Sequence, residues 1–275
     1  MDLQLSGKSV LVTGGSRGIG RQIALAFAAE GARVAICSRG EAALQTTAGE
    51  IRALGAECLI LPADLTDAAA CQGVIDKVTA AFGGIDILVN NAGANVDSAP
   101  SKLADASDDQ IMSRVGGKAL AAIRLSRAVL PYMQSAHSGR IIFIAGTSAR
   151  MVMRGRERPS TEGNPMVSGL GNAMITNFAK MLGEQVIKDG VLVNVIHPHI
   201  TRTDRHPARI KRRAAEMGTT EAEAEADLAT YLPIGRVVEP TDIAPLVVLL
   251  ASPVNGAITG QAITVDGGAY RGINY

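Results

Sequence analysis

The sequence predicts an α/β fold: one parallel, doubly wound sheet with helices on both faces. Three observations carry this. Short apolar runs alternate with helix-period stretches along all 275 residues. Each run spans about four to six residues and is almost wholly apolar, as strands covered on both faces require. No linker, repeat or composition break divides the chain, so residues 1–275 are expected to form a single domain.

The expected strands are Ser9–Val12, Arg33–Cys37, Cys58–Leu61, Asp86–Val89, Arg140–Ala145, Leu192–Ile196 and Ala262–Val265. Between them Ile19–Glu30, Glu41–Leu54, Ala68–Phe82, Lys118–Gln134, Val167–Lys188 and Thr241–Leu250 have helical periodicity. Strand–helix alternation implies right-handed crossovers. Two segments, about 146–165 and 200–232, resist the pattern and are expected to be substrate-side loops. The first carries Arg150, Arg154, Arg156 and Arg158. The second carries Arg202, Arg205, His206, Arg209, Lys211, Arg212 and Arg213, then turns acidic at Glu221, Glu223 and Glu225, an expected exposed helix. Either segment could face an anionic substrate; solvated lids or subunit contacts are the alternative.

Composition narrows the function. Hydrophobic residues make up 47% and charged residues 19%, enough for a sizeable core. The formal charge of +1 argues against a nucleic-acid or membrane-surface binder. The longest apolar run, Leu246–Ala251, is far short of the roughly 20 residues of a bilayer span. Met1–Lys8 lacks a basic start followed by an apolar stretch, so no secretory signal is expected. Cys37, Cys58 and Cys71 show no ligand spacing and fit reduced thiols in a cytoplasmic setting. His137, His197, His199 and His206 show none either, so no metal is expected.

Thr13-Gly14-Gly15-Ser16-Arg17-Gly18-Ile19-Gly20 follows the first strand and opens the first helix. Glycines there let the backbone approach a pyrophosphate, and the helix N-terminus offers free N–H donors. An NAD-preferring site would place a carboxylate at the end of the second strand; this chain has Ser38-Arg39, with Arg17 inside the turn. Two guanidiniums and a hydroxyl suit the 2′-phosphate of NADP(H), the expected cofactor. Solvated surface arginines are the bland alternative.

These motifs combine with Asp64-Leu65, Asn90-Asn91-Ala92-Gly93, Val193-Asn194, Pro198…Thr203 and Val265-Asp266-Gly267-Gly268. Together they resemble the short-chain dehydrogenase/reductase family over nearly the whole chain. The resemblance implies a Rossmann-type domain with Asp64 and Leu65 at the adenine. It places Asn91, Ala92 and Gly93 beside the cofactor and Thr201 and Thr203 near the nicotinamide amide. It also implies a homodimer or homotetramer built on Lys118–Gln134 and Val167–Lys188.

Members of that family usually transfer a proton through a Tyr, supported by a Lys, a Ser and an Asn. Counted from local anchors, those positions hold Ser168, Asn172, Gly146 and Lys118 here. A wider spacing, used by the enoyl-reductase branch, would place the Tyr at Pro165, and no Tyr lies between Tyr132 and Tyr231. Ser168 is a poor proton donor beside a phenol of pKa about 10. The amine and the amide, however, have exchanged positions. Lys118 and Asn172 are expected to face each other, and a partly buried amine is a candidate proton donor near neutral pH. His199 and His197 follow a strand's C-terminal end and could supply the proton. Ser148 or Thr147 could orient the substrate oxygen.

The leading expectation is an NADP(H)-dependent oxidoreductase with a rearranged site. It would act on a carbonyl, alcohol or imine-like small molecule, with Lys118, Ser168, Asn172, His199 and Ser148 as candidate catalytic residues. The alternatives are a cofactor-binding sensor or assembly protein, and a lyase or isomerase that keeps the cofactor as scaffold.

Overall fold

Seven parallel strands carry the fold: β1 Ser9–Thr13, β2 Arg33–Ser38, β3 Cys58–Pro62, β4 Ile87–Asn90, β5 Gly139–Ile144, β6 Val191–Pro198 and β7 Ala262–Val265. Their order across the sheet is β3-β2-β1-β4-β5-β6-β7. It reverses between β1 and β4, where Val10 pairs with Ile87 and Val12 with Val89. Ligands of open α/β sheets bind outside the strand ends at such a switch point. The computed structural model describes residues 1–93, 104, 107–151 and 165–272. For Arg114, Pro165, Met166 and Val167 it describes the backbone alone.

The apolar strands feed two cores because successive residues point to opposite faces. Val10, Val12, Val34, Ile36, Ile87 and Val89 pack on one face with α1 (Gly18–Ala29), α2 (Glu41–Ala53) and α9 (Pro240–Ala251). Leu11, Ala35, Leu88, Ile141 and Phe143 pack on the other with α3 (Ala68–Phe82), α5 (Ala121–Ser135) and α6 (Pro165–Val186). A one-residue slip would exchange the two sets, so the register is firmly specified.

The elements differ from the sequence expectation in three places. The helix expected from Lys118 starts earlier: α4 spans Asp108–Arg114 and continues through a π turn, Val115–Leu120, into α5. A capping box between Ser107 and Gln110 starts α4. The expected loop 200–232 is mostly a helix pair, α7 (His206–Met217) and α8 (Glu221–Thr230), with its own small core of Ile210, Ala214, Ala224 and Leu228. The excursion 146–165 opens with a short 3₁₀ turn, Thr147–Ala149; Arg154, Arg156 and Arg158 lie outside the described residues.

Asn194 on β6 shows how the far edge is fixed. It is fully buried, its Nδ2 donates to the Ile258 carbonyl (2.7 Å) and its Oδ1 accepts from Gln261 N (3.1 Å). The leucine variant leaves the Gln261 N–H unpaired and the Ile258 carbonyl with Asn255 Nδ2 alone (3.0 Å). Asn194→Leu is expected to lose about 1–3 kcal/mol, read as a lower urea midpoint at unchanged slope.

Candidate active site

A cavity of about 710 Å³ runs along the carboxyl ends of the strands, from Ser38 and Asp64 at one end to Lys118 and Asn172 at the other. Its floor is the glycine turn. Gly14 has φ +66° and its N–H donates to the Cys37 carbonyl at 2.7 Å, which turns the chain sharply out of β1. A Cβ on Gly20 would overlap the Gly14 carbonyl and the Asn91 amide, so only glycine lets α1 start this close to the strand. Asn91 Nδ2 donates to the Thr13 and Gly14 carbonyls (3.0 and 3.2 Å), and Thr13 Oγ1 accepts from Asn91 N and Ala92 N (both 3.0 Å). These bonds bolt the ends of β1 and β4 together. The surface left is backbone at a helix N-terminus, the arrangement that receives a pyrophosphate.

At the Ser38 end the chemistry is cationic and incomplete. Arg17 and Arg39 line the cavity, exposed, and Ser38 Oγ is buried without a hydrogen-bond partner among the described residues. A buried hydroxyl without a partner, in a cavity that two guanidiniums line, suits an anion's oxygens. Asp64 Oδ1 accepts from Thr66 N (3.0 Å) and Thr66 Oγ1 (2.9 Å); these bonds hold its carboxyl below the usual range, while partial burial opposes them. The donor set therefore fits a phosphorylated dinucleotide.

At the far end the expected facing pair is in contact. Lys118 Nζ donates to Asn172 Oδ1 and to the Ala145 carbonyl, both at 2.8 Å. Asn172, buried, passes its Nδ2 to Ser148 Oγ at 2.9 Å. Lys118 sits on the π turn, a local widening often found at functional sites. A Cβ on Gly146 would come within 2.7 Å of Asn172 Nδ2, and one on Gly169 within 2.8 Å of the Ser148 carbonyl. Two glycines thus let the Gly146–Ser148 turn and α6 close on each other with the Asn172 amide between them.

Of the candidate catalytic residues, Lys118, Ser168 and Asn172 line the cavity; Ser148 lies behind Asn172. His199 lies off the cavity lining, its Nδ1 2.7 Å from Thr147 Oγ1. Of the cofactor candidates, Gly14, Ser16, Arg17, Gly18, Ile19, Gly20, Ser38, Arg39, Asp64, Leu65, Asn91, Ala92, Gly93 and Thr203 line it. Thr201 does not: it is buried, and its Oγ1 donates to the His199 carbonyl. Sequence reading did not place Ser113, Gly117, Gly171 or Asp204 at the site. The cap at Ser107 was the available signal for the helix that carries Ser113.

Several basic residues turn out to be structural. Arg150 donates to the Ala262 carbonyl (2.9 Å) and stacks on Tyr270. Arg202 pairs with Glu225 (2.5 Å) and Glu239 (2.7 Å), His206 with Glu225 (2.6 Å) and Arg213 with Asp227. Part of the run that could have faced an anionic substrate, Arg202, His206 and Arg213, is thus paired within the chain. The thiols are unpaired, and burial pushes Cys37 up to about 12 and Cys58 up to about 11, so neither is a ready nucleophile. No group of acidic, His or Cys side chains among the described residues could hold a metal, and no described helix is long and apolar enough to cross a membrane.

His197, considered as a proton source, is a core residue. It is fully buried, with Nδ1 2.8 Å from the Gly146 carbonyl, the contact of an Nδ1–H tautomer. Burial pushes its pKa from 6.5 to about 4; the Gly146 bond opposes this, and Arg150 and Lys118 add to it. Between those values the unfolded chain binds a proton that the folded chain excludes. Stability is therefore full above pH 6.5 and falls as the pH drops toward 4. At most roughly 3 kcal/mol is involved. Urea unfolding at pH 7 and near pH 4 is expected to show a smaller acid loss in His197→Gln than in the unaltered chain.

Comparison with known proteins agrees with this geometry. A family model described as enoyl-(acyl carrier protein) reductase matches residues 14–270. The 3-oxoacyl-(acyl-carrier-protein) reductase FabG of Escherichia coli (strain K12) is 32% identical over 268 residues, covering 98% of this chain and 99% of its own. L-Sorbose reductase from Gluconobacter frateurii, solved with NADPH and L-sorbose, superposes with a TM-score of 0.90 at 30% identity, over 99% of this chain and 100% of that one. An actinorhodin polyketide ketoreductase solved with NADPH gives 0.87 at 29% identity, over 98% and 99%. With the glycine turn, the strand order and these matches in agreement, the chain belongs to the short-chain dehydrogenase/reductase family.

Proposed function

We propose that the chain is an NADP(H)-dependent oxidoreductase that interconverts a carbonyl and an alcohol through a rearranged proton-handling site. One observation carries the reading. A single cavity joins a glycine cradle, flanked by Arg17, Arg39 and the orphan Ser38 hydroxyl, to the Lys118–Asn172 pair. Relatives crystallised with NADPH support the cofactor.

In this reading the α1 N-terminus holds the diphosphate, and Arg17, Ser38 and Arg39 hold the 2′-phosphate. Asp64 and Leu65 frame the adenine, and Asn91, Ala92, Gly93 and Thr203 border the nicotinamide end. When bound, the reduced cofactor supplies a hydride. The chain's own residues handle the charge that follows. The substrate oxygen gains negative charge as the carbonyl is reduced, and the Lys118 ammonium stabilises it and donates the proton. A cation there favours a neutral carbonyl over an iminium, which it would repel. Asn172 fixes the amine, and Ser148 fixes Asn172. Ser168, on the cavity wall, is a hydroxyl contact for substrate rather than an acid.

A homodimer or homotetramer fits the same reading. Leu120 and Tyr132 beside and on α5, and Leu170, Met174 and Met181 on α6, leave apolar surface exposed. Three unpaired cysteines suit a reducing, cytoplasmic setting.

The test is NADPH consumption against a carbonyl and imine panel. NADPH is expected to be preferred over NADH, and Arg39→Ala to weaken NADPH about 10- to 100-fold while leaving NADH nearly unchanged. Lys118→Ala is expected to lower kcat by about 100-fold or more, with KM little changed. Asn172→Ala, which frees the amine, is expected to cost less and to shift the pH profile of kcat. Tight NADPH binding without turnover on any carbonyl would make the chain a cofactor-binding protein instead.

A further inference from the structure

We propose that Arg205 anchors a carboxylate on the substrate, so that the compound reduced is a small oxo acid. The inference rests on the oxidoreductase reading and names its substrate class. Arg205 immediately precedes α7 and lines, with Thr203 and Asp204, the same cavity that Lys118 and Asn172 line. Its neighbours on the α7–α8 pair are spoken for: Arg202, His206 and Arg213 each hold a carboxylate of α8. The Arg205 side chain has no hydrogen bond or ion pair among the described residues and is exposed. Beside basic side chains that hold α8 carboxylates, a guanidinium left open toward a cavity is a recognition group.

The adjacent carboxylate does not cancel it. Asp204 lies toward the glycine turn, where its Oδ2 is 3.8 Å from the place a Gly18 Cβ would take, and its field helps raise the Arg21 pKa, after that residue's bond to Glu50. The cofactor's phosphates have their own partners at Arg17, Arg39 and the α1 N-terminus. Apart from Ile19 and Leu65, which the cofactor reading uses, the cavity's described lining holds no aromatic or long aliphatic side chain, and Ser113, Ser168, Gly117 and Gly171 are among its hydroxyls and glycines. Such walls suit a short polar molecule better than an acyl chain. Two cations lining one cavity match an oxo acid's two oxygen functions, the carboxylate on Arg205 and the ketone oxygen toward Lys118. The step balances: hydride adds to the carbonyl carbon, the C=O π pair moves to oxygen, and Lys118 delivers the proton and regains one from solvent. The products are a hydroxy acid and the oxidised cofactor.

The experiment compares pyruvate, acetoacetate and levulinate, each beside its methyl ester, with NADPH and the full chain. The unaltered protein is expected to favour one acid over its ester by at least about tenfold in kcat/KM. Arg205→Gln is expected to bring that ratio near one through KM, with NADPH affinity within twofold. Arg205→Lys is expected to restore part of it. Equal use of acid and ester, or an unchanged ratio in Arg205→Gln, overturns the assignment. A second arm measures calorimetric binding of levulinate and of oxamate to the NADP⁺ complex. At least one is expected to bind, about tenfold more weakly in Arg205→Gln. Binding that is absent, or equal in both proteins, overturns the anchor whatever the turnover. Binding lost in Arg205→Gln without NADPH oxidation on any probe upholds the anchor and fails the oxidoreductase reading.

Discussion

A lysine amine carried on one helix meets the side-chain amide of another at 2.8 Å, and the reaction end of the cavity is arranged around that contact. An amine in a half-buried pocket must find acceptors, and Lys118 finds two, the Asn172 side chain and the Ala145 carbonyl at the end of β5. The amide must then place its own N–H, which Ser148 accepts. The turn that carries Ser148 approaches only because residue 146 has no side chain. A serine at 146 would intrude on the Asn172 amide. The four residues therefore constrain one another, and altering one leaves the others unsatisfied.

The same economy appears around the rest of the cavity. The sheet's switch point sets the β1 and β4 ends side by side, and Thr13 and Asn91 tie them with four short bonds. That rigid floor leaves backbone donors and glycines facing the cavity, while positive charge gathers at its two ends. Elsewhere several basic residues are held: Arg150 by a β7 carbonyl and a tyrosine ring, Arg202 and Arg213 by carboxylates. Net charge near zero thus coexists with a cavity whose described lining is locally cationic.

How much of this could be read from the sequence depended on the range of each interaction. The strands were legible because burial on both faces leaves unbroken apolar runs, and the glycine turn because strand, turn and helix are contiguous. Lys118 and Asn172 could be set opposite each other because the resemblance to the family implied how their helices pack. The π turn that carries Lys118 was not legible, because a one-residue widening of a helix leaves no distinct periodicity in the sequence. α4 escaped because it is short, although its Ser107–Gln110 cap was present. The basic run after β6 left two readings open, anion contact or solvated lid, for a different reason. Its partners Glu225 and Asp227 sit across a helix pair, and no local period reveals an ion pair between elements. His197 likewise looked available because burial at the end of β6 is a tertiary fact.

The most direct test of the account is a crystal structure of the chain with NADPH and a bound oxo acid. The account predicts the 2′-phosphate between Arg17 and Arg39 with Ser38 Oγ bonded to it. It also predicts Lys118 Nζ within about 3 Å of the reducible oxygen, still held by Asn172. A substrate oxygen bonded to Ser168 or His199 instead, with Lys118 turned away, would contradict it.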